Sequence, residues 1–163
     1  NSSFIETDNY IIYNRVIDNH VYLFSPEDGK MASHLQFGFG SQTIRDEQRK
    51  DMNKLLNQAA SYSFLATTPI ASDDYLFFMA NREGALYTCA YAKKDRTTSF
   101  SRADKISSEG IHFPLYYSPE EKCIVTYFNT DMIPNAGETD LPRDVAEYIQ
   151  QGNTVLCLYK INK

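Results

Sequence analysis

The chain has 163 residues and a net charge of −5, with 42% hydrophobic and 23% charged residues. That is enough chain for one domain with its own core. The acidic balance excludes a protein built mainly to coat nucleic acid, which needs a basic face to displace counterions. No run of about 18 apolar residues occurs, which excludes a membrane-spanning helix.

The aromatic residues are 12 Tyr and 10 Phe with no Trp. Tyr, Phe, Val and Ile suit a pleated, half-buried surface, so the bias predicts strands. The chain begins at Asn1 rather than Met, which leaves open a removed leader or a piece of a longer protein. Asn1-Ser2-Ser3 reads as a chance sequon.

The first forty residues predict a four-strand meander, with strands at 2–6, 10–15, 20–25 and 31–37. Clusters such as Thr7-Asp8-Asn9 and Ser25-Pro26-Glu27-Asp28-Gly29 mark the turns, because these residues preset or tolerate turn dihedrals. Gly38-Phe39-Gly40 closes this region. A helix is predicted over 44–60, with Thr43 to Asp46 as its capping box and Met52, Leu55, Leu56 and Ala59 as its apolar stripe.

A second meander is predicted at 64–70, 75–80, 85–91 and 97–102, and a third begins at 111–117 and 122–128. A second helix then starts at Asp140, carries Leu141, Val145, Tyr148 and Ile149 on one face, and stops at Gly152. The last strand is 154–161.

Asp8-Asn9-Tyr10-Ile11-Ile12 matches Asp73-Asp74-Tyr75-Leu76-Phe77, and Tyr22 matches Tyr87 at the same offset. Without the helical insert at 44–60 the repeating unit is roughly 45 residues, the length of a four-strand propeller blade. The expected fold is therefore all-β. About three four-stranded antiparallel meanders, at 1–40, 61–103 and 109–163, form part of a β-propeller in one domain, with two inserted helices. The alternative is a β-sandwich, since the same strands can form two packed sheets.

Three stretches carry a resemblance. They are His34-Leu35-Gln36-Phe37-Gly38-Phe39-Gly40, then Asp104-Lys105-Ile106 with Phe113-Pro114 and 122–133, and the terminal strand Gly152-Asn153-Thr154-Val155-Leu156-Cys157-Leu158-Tyr159-Lys160-Ile161. They resemble the C-terminal half of the Bacteroides-type six-bladed β-propeller proteins, a largely uncharacterised group of envelope proteins. The resemblance implies a cell-envelope or secreted location, in the periplasm or on an outer-membrane lipoprotein. It leaves the missing blades to an N-terminal half, to self-association of two copies, or to an unrelated partner covering the open faces.

Catalytic and metal motifs are sparse. His20, His34 and His112 are too far apart in sequence for a local ligand pair, so no metal or cofactor is expected. Cys89, Cys123 and Cys157 form no C-x-x-C and read as small buried hydrophobes, with a disulfide between two of them left open. No G-x-S-x-G elbow or phosphate-cradling loop occurs. Residues 25–30 read as a plain hairpin turn rather than a calcium loop.

Asp73-Asp74 and Glu120-Glu121 offer paired carboxylates, but both fall where solvated turns are predicted. Tyr10, Tyr13, Tyr116 and Tyr117 could present stacking faces, or pack between sheets. Asn14-Arg15 and Asn81-Arg82 each follow a hydrophobic strand, at one end of successive sheets. Repeated loops on one propeller face form binding surfaces, and Arg beside Asn can recognise carboxylates or acidic sugars. These four are the expected ligand-binding residues. The expected function is a non-catalytic binding or scaffold module of the bacterial cell envelope, with a protein or glycan ligand. The alternative is a polysaccharide-acting hydrolase or lyase, with two carboxylates about 5–10 Å apart in the propeller funnel.

Overall fold

The structure is a computed structural model and describes residues 3–7, 9–15, 17–103, 111–133, 135, 137 and 139–161. The first sheet is a meander of β1 (Ser3–Glu6), β2 (Ile11–Asn14), β3 (His20–Phe24) and β4 (Met31–Gln36), in that spatial order. Two short helices follow, α1 (Asp46–Arg49) and α2 (Met52–Asn57). The second sheet holds β5 (Phe64–Leu65), β6 (Ile70–Ala71), β7 (Tyr75–Arg82), β8 (Ala85–Ala92) and β9 (Thr97–Arg102). The third holds β10 (Tyr116–Ser118), β11 (Cys123–Phe128) and β12 (Val155–Lys160), with α3 (Arg143–Gln150) between the last two.

All of these strand pairings are antiparallel. Each sheet is built from consecutive stretches of chain, so the all-β expectation holds; only the first sheet has the expected four strands, the second having five and the third three among the described residues.

Alternation along the strands stacks the sheets. β2 buries Ile12 and β3 buries Val21 and Leu23. They meet Leu76, Phe78 and Ala80 of β7 and Cys89 of β8 in one cluster. Successive strand residues point to opposite faces, so Phe77 faces the other way, into a cluster with Ile70 of β6 and with Ile124 of the third sheet. The second sheet is thus the middle layer, and residues 76–80 of β7 are all buried. α3 closes the end of the third sheet by packing Ile149 against Phe128 and Ile133.

Several local expectations are corrected. The helix over 44–60 is two helices, because Asp51 leaves helical geometry at φ −118°, ψ 87° and its carboxylate accepts from the Lys54 N–H, starting α2 anew. Thr43 does not cap α1. Its hydroxyl accepts from Phe39 N–H at 2.8 Å, and Gln48 instead accepts from Arg45 N–H at 2.7 Å. The strand over 64–70 is split into β5 and β6, since residues 66–69 stand opposite only Phe78 and Met79 of β7. Within that bulge Thr67 Oγ1 accepts from Met79 N–H at 2.9 Å, and Pro69 has no N–H to offer a ladder.

The strand over 111–117 shrinks to β10. Phe113 is left-handed at φ 47°, and the buried Thr126 hydroxyl donates to the carbonyls of His112 and Phe113 instead. Asp140 lies too early to cap α3, whose N-cap is Pro142. Asn1-Ser2 and Asp104-Lys105-Ile106 lie outside the described residues, as does the expected boundary at 109.

Candidate functional site

A cleft of about 540 Å³ opens where the second sheet extends past the edge of the first. Its floor is the face of β7, β8 and β9 that turns toward the first sheet. Phe78, Ala80 and Arg82 alternate onto that face from β7, and Tyr87, Cys89 and Tyr91 from β8. Register adds Phe100 opposite Cys89 and Thr98 opposite Tyr91. The wall is residues 35–40, leading out of β4.

That wall is firmly seated. Phe37 N–H donates to Asn19 O at 2.9 Å, and Asn19 Nδ2 returns a bond to Phe37 O at 2.8 Å. The Phe37 ring meets Phe78 and Tyr91 edge-on, with centroids 4.8 and 5.5 Å away. Gly40 adopts φ +63°, a left-handed conformation that turns the chain into the next segment.

Two arginines mark the cleft. Arg82 pairs with Ala85 at the start of β8, while Arg96 precedes Thr97, which pairs with Ala92 at its end. At ~3.3 Å per residue the eight-residue strand, together with the two strand spacings across it, sets the two backbones about 25 Å apart. The Arg82 guanidinium lies 5.6 Å from the centre of the exposed Phe100 ring, and Tyr87 meets that ring edge-on at 5.9 Å. Among the described residues no carboxylate pairs with Arg82 or Arg96. Among the described residues the lining contains no Asp, Glu or His. Cys89 is buried, and burial pushes its thiol up to about 11, so it stays protonated and unreactive.

The four residues expected from the sequence separate. Arg82 lines the cleft. Asn81 lies beside it in β7, but its Nδ2 donates to Tyr62 O at 2.7 Å. Both belong to the strand rather than the turn, because Glu83 and Gly84 alone make the two-residue hairpin with φ 54° and 77°. Asn14 is buried at the end of β2, and its Oδ1 accepts from the Thr68 hydroxyl at 3.1 Å, tying the first sheet to the β5–β6 bulge. Arg15 stands 3.4 Å from the buried Asp18 carboxylate, and a hydrogen bond to Tyr22 is the main cause that raises its pKa.

A second cleft, of about 460 Å³, lies where all three sheets meet. Tyr10, Tyr116, Tyr117, Glu6, Asp73 and Lys93 line it. Lys93 is already engaged: its ammonium donates to Ser72 O at 2.6 Å and sits 5.5 Å from the Tyr10 ring centre. Burial lowers its pKa, against the opposing pull of Asp73 and Asp74.

The outer face of the first sheet carries an aromatic ladder. Phe4, Tyr13, Tyr22 and His34 are cross-strand partners, with successive ring centres 4.7, 5.9 and 4.7 Å apart. All three cysteines are free thiols. Among the described residues no three His, Cys, Asp or Glu gather as metal ligands, and no helix is long and apolar enough to cross a membrane. Residues 25–30 form the expected hairpin turn, closed by Ser25 N–H to Lys30 O at 2.8 Å.

Neither a protein-family model nor a curated protein matches the chain. Among solved structures, a protein of Bacteroides fragilis described as exported matches 98% of this chain and 49% of its own, with a TM-score of 0.62 and 15% identity. At that identity the likeness is one of fold. The chain spans about half the length of that protein.

Proposed function

We propose that the protein is a non-catalytic binding module of the bacterial cell envelope, with the cleft along β8 as its ligand site. One observation carries this reading. Among the described residues the cleft offers two guanidinium groups without carboxylate partners and a floor of aromatic rings, and its lining has no group suited to general acid–base work near neutral pH. Arg82 and Arg96 are the proposed ligand-binding residues. Asn14, Arg15 and Asn81 hold the layers and turns around them.

The finer architecture belongs to the same proposal. Three consecutive antiparallel meanders, packed face to face, are read as three blades of a six-bladed β-propeller of the Bacteroides type. The face-to-face packing and the likeness to a longer exported protein support that reading and an envelope or secreted location. In such a ring the outer aromatic ladder and the exposed Leu156 and Leu158 of β12 would be covered by further blades.

The test is a binding screen of the 163-residue protein against protein and glycan ligands, with turnover followed in parallel. Saturable binding without turnover, weakened by Arg82→Gln, is the expected result. Hydrolysis or elimination of any panel member would overturn it. One observation favours a second reading, a polysaccharide hydrolase or lyase: Glu6 and Asp73 both line the three-sheet cleft. On that reading the turnover disappears in Glu6→Gln and Asp73→Asn.

A further inference from the structure

We infer that the cleft along β8 binds an extended, carboxylate-bearing oligosaccharide, such as a chain of uronic acid units, rather than a compact ligand. This rests on the reading of that cleft as the ligand site.

The first ground is charge. The chain carries −5 overall, yet among the described residues the lining holds two arginines and no carboxylate. Neither arginine has an ion-pair partner among the described residues. A guanidinium left open on an acidic protein is a ready site for a carboxylate, which it binds bidentately.

The second ground is length. The backbones of Arg82 and Arg96 sit at opposite ends of β8, about 25 Å apart. A single acid can satisfy one of them. A chain with repeated acidic groups can satisfy both at once, and the second contact then forms at high effective concentration.

The third ground is the surface between them. Tyr87, Tyr91 and Phe100 stand there, and the hydroxyls of Tyr87 and Tyr91 have no protein partner among the described residues. Rings with a free hydroxyl suit the flat C–H face and hydroxyl rim of a pyranose. An acidic peptide would seek main-chain hydrogen bonds along a strand edge. This cleft lies on the face of the sheet and presents side chains, which favours the sugar.

The experiment measures affinity of the 163-residue protein for oligogalacturonates of increasing length, for the same oligomers as neutral methyl esters, and for poly-glutamate. Affinity should rise with length. It should fall about tenfold or more on esterification, and fall comparably in Arg82→Gln and in Arg96→Gln. Phe100→Ala, an exposed change, should weaken acid and ester alike. Unchanged thermal melting of each variant keeps the comparison one of binding. Equal binding of acid and ester, with loss in Phe100→Ala, overturns the anionic inference and leaves the binding module standing. Poly-glutamate binding as tight and as arginine-dependent overturns the choice of sugar. Binding of neither polymer, with turnover of a polysaccharide, overturns both readings.

Discussion

His20 and His34 lie side by side on the outer face of the first sheet, with His20 Nδ1 2.7 Å from His34 Nε2 and their rings stacked at 4.9 Å. One nitrogen of that contact must carry the proton and the other the lone pair, so the contact cannot survive protonation of both rings. Burial lowers the His20 pKa below the usual histidine value, helped by Arg49 and His34 and opposed by Asp18 and Asp46. Burial lowers that of His112 in the same direction.

The sign follows from linkage. An unfolded histidine takes its proton near pH ~6.5, and these two take theirs lower when folded. The unfolded state therefore binds more protons as pH falls, and stability contributed above about 6.5 is lost on acidification. Melting temperature should drop between pH 7.5 and 5.5, and drop less in His20→Gln. Parallel melting-temperature profiles for the two proteins would falsify the role given to His20.

Asp18 is a buried carboxylate with four polar neighbours. It accepts from Asn19 N–H at 2.7 Å and His20 N–H at 3.2 Å, and it pairs with Arg49 at 2.9 Å and Arg15 at 3.4 Å. Asp18→Asn leaves the mostly buried Arg49 charge, whose Nε has no hydrogen-bond partner among the described residues, with the exposed Asp46 as its remaining carboxylate and only the neutral oxygens of Asn19 and Ile44 besides. The expected loss is about 3 kcal/mol by urea denaturation. A change under about 0.5 kcal/mol would show the pair to be inert.

Phe78→Ala should cost about 3–5 kcal/mol, because its ring is sealed between the first and second sheets. Leu156→Ala, at a residue 68% exposed on the outer face of β12, should cost no more than about 0.5 kcal/mol. Equal costs at the two positions would mean that the layers are not stacked in this order.

Asp51→Ala removes the carboxylate that caps α2 and should destabilise by about 1 kcal/mol, with some loss of helical circular dichroism. A gain in helicity instead would mean that Asp51 only interrupts one continuous helix.

Much of the layering was legible in the residues. Alternation in 10–15 and 20–25, bounded by Asn and Asp turns, led directly to β2 and β3. The breaks were not, because tertiary partners decide them. Thr67 leaves its strand to bond Met79, and Thr126 draws the carbonyls of residues 112 and 113 out of theirs. For the cleft, Arg82 could be found from its place after a hydrophobic strand. Arg96, Phe100 and the wall at 37–40 could not, since nothing local says which face of β8 the first sheet leaves uncovered. The available signal was the pair of glycines flanking Phe39, read only as the end of a sheet.

β7 has neighbours above, below and on both edges. Its amides should be the slowest in the molecule to exchange with heavy water, persisting until the whole chain opens. The fully exposed β9 should exchange by local fraying. Ligand settling along β8 would then slow exchange on the β9 side first, giving occupancy a readout that needs no label.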